Sequence, residues 1–154
     1  MTMTRHWRIG AAALLALCGA GCGAATATNA VVNSVVSPNP VVAQAPGDGG
    51  LQWVAAFTLT LNETAGLGAT VTAANAVVYE ASAGIITSTL APEDVLIQVN
   101  ATGNKIAANG SLPIEYRISY TAPNGGRAVL VKITVSVTDD NGASTSGFVN
   151  VNVT

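Results

Sequence analysis

The chain has 154 residues, 49% hydrophobic, 9% charged and 5% aromatic, with a formal net charge of −2. No basic patch can be assembled from so few cations, which disfavours a nucleic-acid partner that must be met by clustered Lys and Arg. One histidine and two cysteines set a further bound on the chemistry the chain can perform.

The amino terminus reads MTMTRHWRIGAAALLAL, with Arg5 and Arg8 followed by an uncharged run from Ile9 to Leu17. Nine residues rising 1.5 Å each fall short of the roughly 20 needed to span a bilayer. Positive residues, a short apolar stretch and then small residues follow the order of a secretory signal peptide, predicted here over residues 1–21. Both cysteines lie in the next stretch, LCGAGCG (Leu17–Gly23). A Cys18–Cys22 disulfide would close a very short loop inside the segment to be removed. A zinc site would lack donors, because the lone histidine, His6, is in the same leader.

Gly19-Ala20-Gly21-Cys22 resembles the lipobox of bacterial lipoproteins, in which small residues precede a cysteine. The resemblance implies that the Cys22 thiol carries diacylglycerol, that the peptide is cut before it, and that the new amino group is acylated. Several acyl chains, at about 0.8 kcal/mol per buried CH₂, hold a domain on a membrane far more firmly than one. The resemblance also implies a partner, the membrane, and a place in the bacterial cell envelope, with Gly23 pointing to the outer membrane. Ordinary secretion with cleavage after Ala25-Thr26-Ala27 is the alternative.

Residues 22–50 are rich in Ala, Thr, Val, Asn, Pro and Gly, with one charge at Asp48. SPNP (Ser37–Pro40) and APGDGG (Ala45–Gly50) are breaker clusters, and no strand or helix period persists, so a flexible tether is predicted. The Val pairs at 31–32, 35–36 and 41–42 leave open an added edge strand.

From Leu51 to Thr154 the pattern changes to a period of two. WVAAFTLTLNE sets Trp53, Ala55, Phe57, Leu59 and Leu61 on one face; PIEYRISY does so with Ile114, Tyr116, Ile118 and Tyr120. VLVKITVSV turns Val129, Val131, Ile133, Val135 and Val137 inward and Lys132, Thr134 and Ser136 outward. Weaker strands are expected at 69–73, 76–80, 85–89 and 94–99. Some seven strands separated by Gly, Asn and Pro predict an all-β fold, an antiparallel β-sandwich over 51–154. In Ala122-Pro123-Asn124-Gly125 the proline sets the first corner and a glycine takes the left-handed position. A two-residue Asn141-Gly142 turn would put Asn150 and Asn152 on the core face, so a longer loop that turns Val149, Val151 and Val153 inward is predicted.

The ending TVSVTDDNGASTSGFVNVNVT and the bend Asn62–Gly68 resemble bacterial immunoglobulin-like domains of surface and envelope proteins. That resemblance implies a spacer, adhesion or protein-interaction module, without the inter-sheet disulfide of antibody domains.

The chain after Gly21 holds four basic and eight acidic residues, and no histidine. A Ser–His or Cys–His nucleophile pair cannot be assembled from it, so neither an enzyme nor a cofactor is expected. Glu93-Asp94 and Asp139-Asp140 are adjacent acids, and neighbours on a strand point apart instead of facing each other across a groove. Asp139, Asp140 and Asn141 offer oxygens for a weak calcium site but lack the twelve-residue loop pattern. Trp53 falls on an apolar face, as a core residue more than a sugar platform. The function expected is a lipid-anchored structural, adhesion or protein-interaction module, with a secreted or surface carbohydrate- or polymer-binding module, with or without calcium, as the alternative.

Overall fold

The computed structural model describes residues 29–82 and 85–154; the predicted leader, Cys18 and Cys22 lie outside them. Two antiparallel sheets pack face to face. The first has the order β1 (Val32–Ser37), β2 (Trp53–Glu63), β7 (Ser111–Tyr120), β5 (Val95–Ala101). The second runs β4 (Ile85–Thr89), β3 (Ala69–Ser82), β8 (Val129–Asp139), β9 (Ser144–Val153), with the short β6 (Lys105–Ile106) also on β3. The all-β sandwich expected from the alternation is the observed fold.

The inward faces are those the period of two marked. Ala55, Leu59, Ile118, Tyr120, Val131 and Ile133 are completely buried, and Phe57, Leu61, Ile114, Tyr116, Val129 and Val137 nearly so. β3 joins two segments read as separate strands. Its pairing with β8 shifts between Val71 and Ala73, and the hydroxyl of Thr72 donates to the carbonyl of Ser136. One extra residue inverts the side-chain phase, so Val71 and then Ala74, Ala76 and Val78 meet the inward positions of β8. That inversion makes one strand look like two.

The β8–β9 register is the slipped one. Val131 pairs with Val151, Ile133 with Val149 and Val135 with Gly147. The hairpin closes through Asp139 N–H to the Ala143 carbonyl (2.9 Å) and Gly142 N–H to the Asp139 carbonyl (2.9 Å). Gly142 sits at φ +86°, the left-handed conformation that a three-residue loop needs. The turn at Ala122–Gly125 forms as expected, with Gly125 N–H donating to the Ala122 carbonyl at 2.8 Å, and carries the chain from the first sheet to the second. The Tyr120 hydroxyl donates to the Arg127 carbonyl across this crossing.

Residues 30–50 depart from the expected tether. They form a strap that laces the two sheets together. β1 pairs along β2 from Val32–Glu63 to Ser37–Thr58. Val41 then bridges Val153 of the second sheet, where Ala43 N–H donates to the Thr154 carbonyl and Thr154 N–H to the Val41 carbonyl. Gln44 returns to the first sheet against Val54. Val41 is 1% and Ala43 4% exposed, so the strap supplies core as well as hydrogen bonds. Pro and Gly concealed the pattern because the strap changes sheet twice in some fifteen residues, too often for any period to build up. Gly47 permits the close return, since a β-carbon there would lie 2.4 Å from the Trp53 carbonyl oxygen.

Two buried carboxylates fix the start of the strap. Glu63 Oε1 accepts from Val31 N–H (3.3 Å) and Ala65 N–H (2.7 Å), and Oε2 from Gly66 N–H and Asn109 N–H (both 2.9 Å). Asp139 Oδ2 accepts from Ala30 N–H (3.2 Å), and Oδ1 from Asn141 N–H (3.0 Å) and Ala143 N–H (2.8 Å). Burial works against ionisation of Glu63, but its four N–H donors prevail and lower its pKa from 4.5 to about 2.

Two measurements check this architecture. Val41→Ala is expected to cost about 2 kcal/mol in urea unfolding, whereas a detached tether would give no change. The stabilisation from Glu63 is complete above pH 4.5 and is lost as the pH falls toward 2. The urea midpoint of the native protein is therefore expected to drop through that window, and that of Glu63→Gln to start lower and vary less.

Candidate functional site

The outer face of the first sheet carries an open groove of about 510 Å³ where β1, β2, β7 and β5 lie side by side. Pairing aligns its floor in two rows. Ser37, Thr58, Glu115 and Asn100 form one row, and Ala56, Arg117 and Gln98 the other. The side chains point outward because each alternates with a core residue: Glu115 and Arg117 flank buried Tyr116, and Thr58 lies between Phe57 and Leu59. Pro38 borders the groove at the end of β1.

Its polar groups are held in place. Asn100 Nδ2 donates to Glu115 Oε2 at 3.1 Å. Arg117 binds Asp48 through Nε to Oδ2 (2.6 Å) and Nη2 to Oδ1 (2.9 Å), a bidentate fork that fixes the guanidinium plane. Asp48 N–H donates to Ser119 Oγ at 2.9 Å, and that hydroxyl donates to Asp48 Oδ2 at 3.1 Å, so the strap itself is held where it meets Arg117. The Arg117 hydrogen bonds, aided by Ser119, hold the Asp48 carboxyl below its usual range against a smaller opposing effect of burial. Arg117 is shifted upward by the same partner. With Asp48 and Arg117 neutralising each other, Glu115 leaves the groove one net negative charge.

The residues singled out from sequence are distributed elsewhere. Cys22 lies outside the described residues. Asp139, Asp140 and Asn141 form the β8–β9 loop, where Asp139 already serves three backbone N–H groups and is 7% exposed, while Asp140 is exposed. Among the described residues no group of three or more His, Cys, Asp or Glu side chains could hold a metal ion. Glu93 and Asp94 sit in a short turn, Pro92–Asp94, at the start of β5. Trp53 is half-buried and packs on the core, and its Nε1 is buried with no hydrogen-bond partner. Tyr116 stacks on Phe57 with ring centres 5.4 Å apart; burial raises its phenol pKa, as it does that of Tyr120.

Sequence reasoning did not find the groove. The outward positions of PIEYRISY were legible as Glu115 and Arg117, but their neighbour Asn100 comes from a distant strand, and Ser37 and Asp48 from the supposed tether.

No family model and no curated protein matches the chain. Among solved structures, the X-ray structure of Northeast Structural Genomics Consortium target SoR45 aligns with a TM-score of 0.53 and 8% identity, over 82% of this chain and 88% of that one. At that identity the likeness is one of fold. Among the described residues no helix is long and apolar enough to cross a membrane.

Arg117→Ala removes the fork that seats Asp48. It is expected to speed hydrogen exchange at the Asp48 amide and its neighbours in the strap, leaving the central β2–β7 amides protected.

Proposed function

We propose that this protein is a recognition module of the bacterial cell envelope, anchored through lipidated Cys22, that presents the outer face of its first sheet to a protein partner. The observation that carries the reading is the groove of Ser37, Thr58, Gln98, Asn100, Glu115 and Arg117. Its polar heads stand on four paired strands, and three of them, Asn100, Glu115 and Arg117, are held by hydrogen bonds to neighbours. Rigid strands position such groups more accurately than loops do.

The order of strands supports the immunoglobulin-like part of the reading. β1-β2-β7-β5 facing β4-β3-β8-β9 corresponds to the A-B-E-D and C′-C-F-G arrangement of that architecture. The groove holds amide, hydroxyl, carboxylate and guanidinium groups but no histidine or cysteine, which suits binding more than covalent or acid–base catalysis. The same amides and hydroxyls suit a neutral glycan as a second reading, although no exposed aromatic stacks along the floor.

Two experiments test it. A palmitate analogue fed to cells is expected to label the native protein and not Cys22→Ser; labelling of both, or of neither, removes the anchor. A photo-crosslinking residue at Gln98 is expected to trap a discrete protein adduct that the same residue at Ser146, on the outside of the second sheet, does not. No adduct together with a signal on a glycan array would favour the second reading.

A further inference from the structure

The strap begins with two consecutive N–H groups that go to different sheets. Ala30 donates to Asp139 at the end of β8, and Val31 donates to Glu63 at the end of β2. Both acceptors are buried, Glu63 at 2% and Asp139 at 7% exposure, and neither serves the strap alone. Glu63 also closes the Ala65–Gly66 bend and holds Asn109, and Asp139 also closes the β8–β9 loop. Thr64 adds a third hold, with its N–H donating to the Val31 carbonyl at 2.9 Å. The chain is therefore fastened to both sheets at Ala30 and Val31, near the start of the described residues.

An anchor at Cys22 pulls on the chain at this place. From Ala30, β1 runs about 20 Å along the sheet to Ser37, which borders the groove. A force between the anchor and an occupant of the groove lies along β1. It loads the rungs that join β1 to β2 together, where a sideways pull would open them singly. We infer that Glu63 and Asp139 form a tension clamp that keeps the sandwich folded while the anchor and a bound partner are drawn apart. The source of that tension rests on the anchored reading above; the clamp is a property of the described residues.

Constant-force stretching of the full chain tests it. In a Cys18→Ser background the Cys22 thiol and a C-terminal tag serve as handles, which places β1 in the path of force. A second attachment uses Gln52→Cys with Cys18→Ser and Cys22→Ser, which leaves β1 out of it. Asp139→Asn can keep an oxygen on Asn141 and Ala143 while turning an NH₂ toward the Ala30 N–H. Glu63→Gln likewise sets an amide donor against donors. Asp139→Asn is expected to shorten the folded lifetime about tenfold in the Cys22 attachment and less than about twofold in the Gln52 attachment. Glu63→Gln, which also loosens the Ala65–Gly66 bend, is expected to shorten it about tenfold in the first and several-fold less in the second. Unchanged lifetimes in the first attachment, or equal shortening in both, overturns the clamp. Absence of lipid on Cys22 removes the source of tension and leaves this result standing.

Discussion

The two sheets of this domain are joined without a covalent bridge, and the strap of residues 30–50 takes the place of one. It binds the first sheet through β1, the second through Val41 and Ala43, and the first again through Gln44 and Asp48. Core side chains alone would press the sheets together without fixing their relative position, because apolar contact has little directionality. The strap supplies that direction with main-chain hydrogen bonds at both ends of the sandwich. Glu63 is the point on which it turns, since a buried carboxylate becomes tolerable only when its oxygens are satisfied, and here the backbone itself satisfies them.

The groove depends on the same strap. Ser37 forms part of its floor and Asp48 orients Arg117, so a surface made mostly by β2, β5 and β7 is completed by residues earlier in the chain than any of those strands. A surface built on paired strands has few ways to rearrange, so its polar groups are already in position. The second sheet differs in character. Its outer face bears a ladder of hydroxyls, with Ser136 beside Ser146 at 2.7 Å and Thr138 beside Ser144 at 2.8 Å, and Lys132 lies 4.7 Å over the Phe148 ring.

Much of the sandwich was legible in the sequence. The alternation in WVAAFTLTLNE, PIEYRISY and VLVKITVSV marked the buried faces, and the penalty of burying Asn150 and Asn152 selected the correct β8–β9 register over the tighter turn. What escaped had physical causes. The bulge near Thr72 inverted the phase of β3 and split it in two. The strap changes sheet too often to show a period, so its core residues Val41 and Ala43 resembled linker. Ser119 sits at an outward position yet is buried, because Asp48 covers it. The groove joins residues from strands far apart in sequence, and pairing of that kind leaves no local signature.

The close return of the strap at Gly47, against the carbonyl of Trp53, places an intrinsic optical reporter beside the lacing. Trp53 is the single indole among the described residues. Its carbonyl borders the stretch that must lift if the two sheets are unlaced. Emission from this side chain thus reports on the start of β2, where the strap meets the first sheet, with no dye attached.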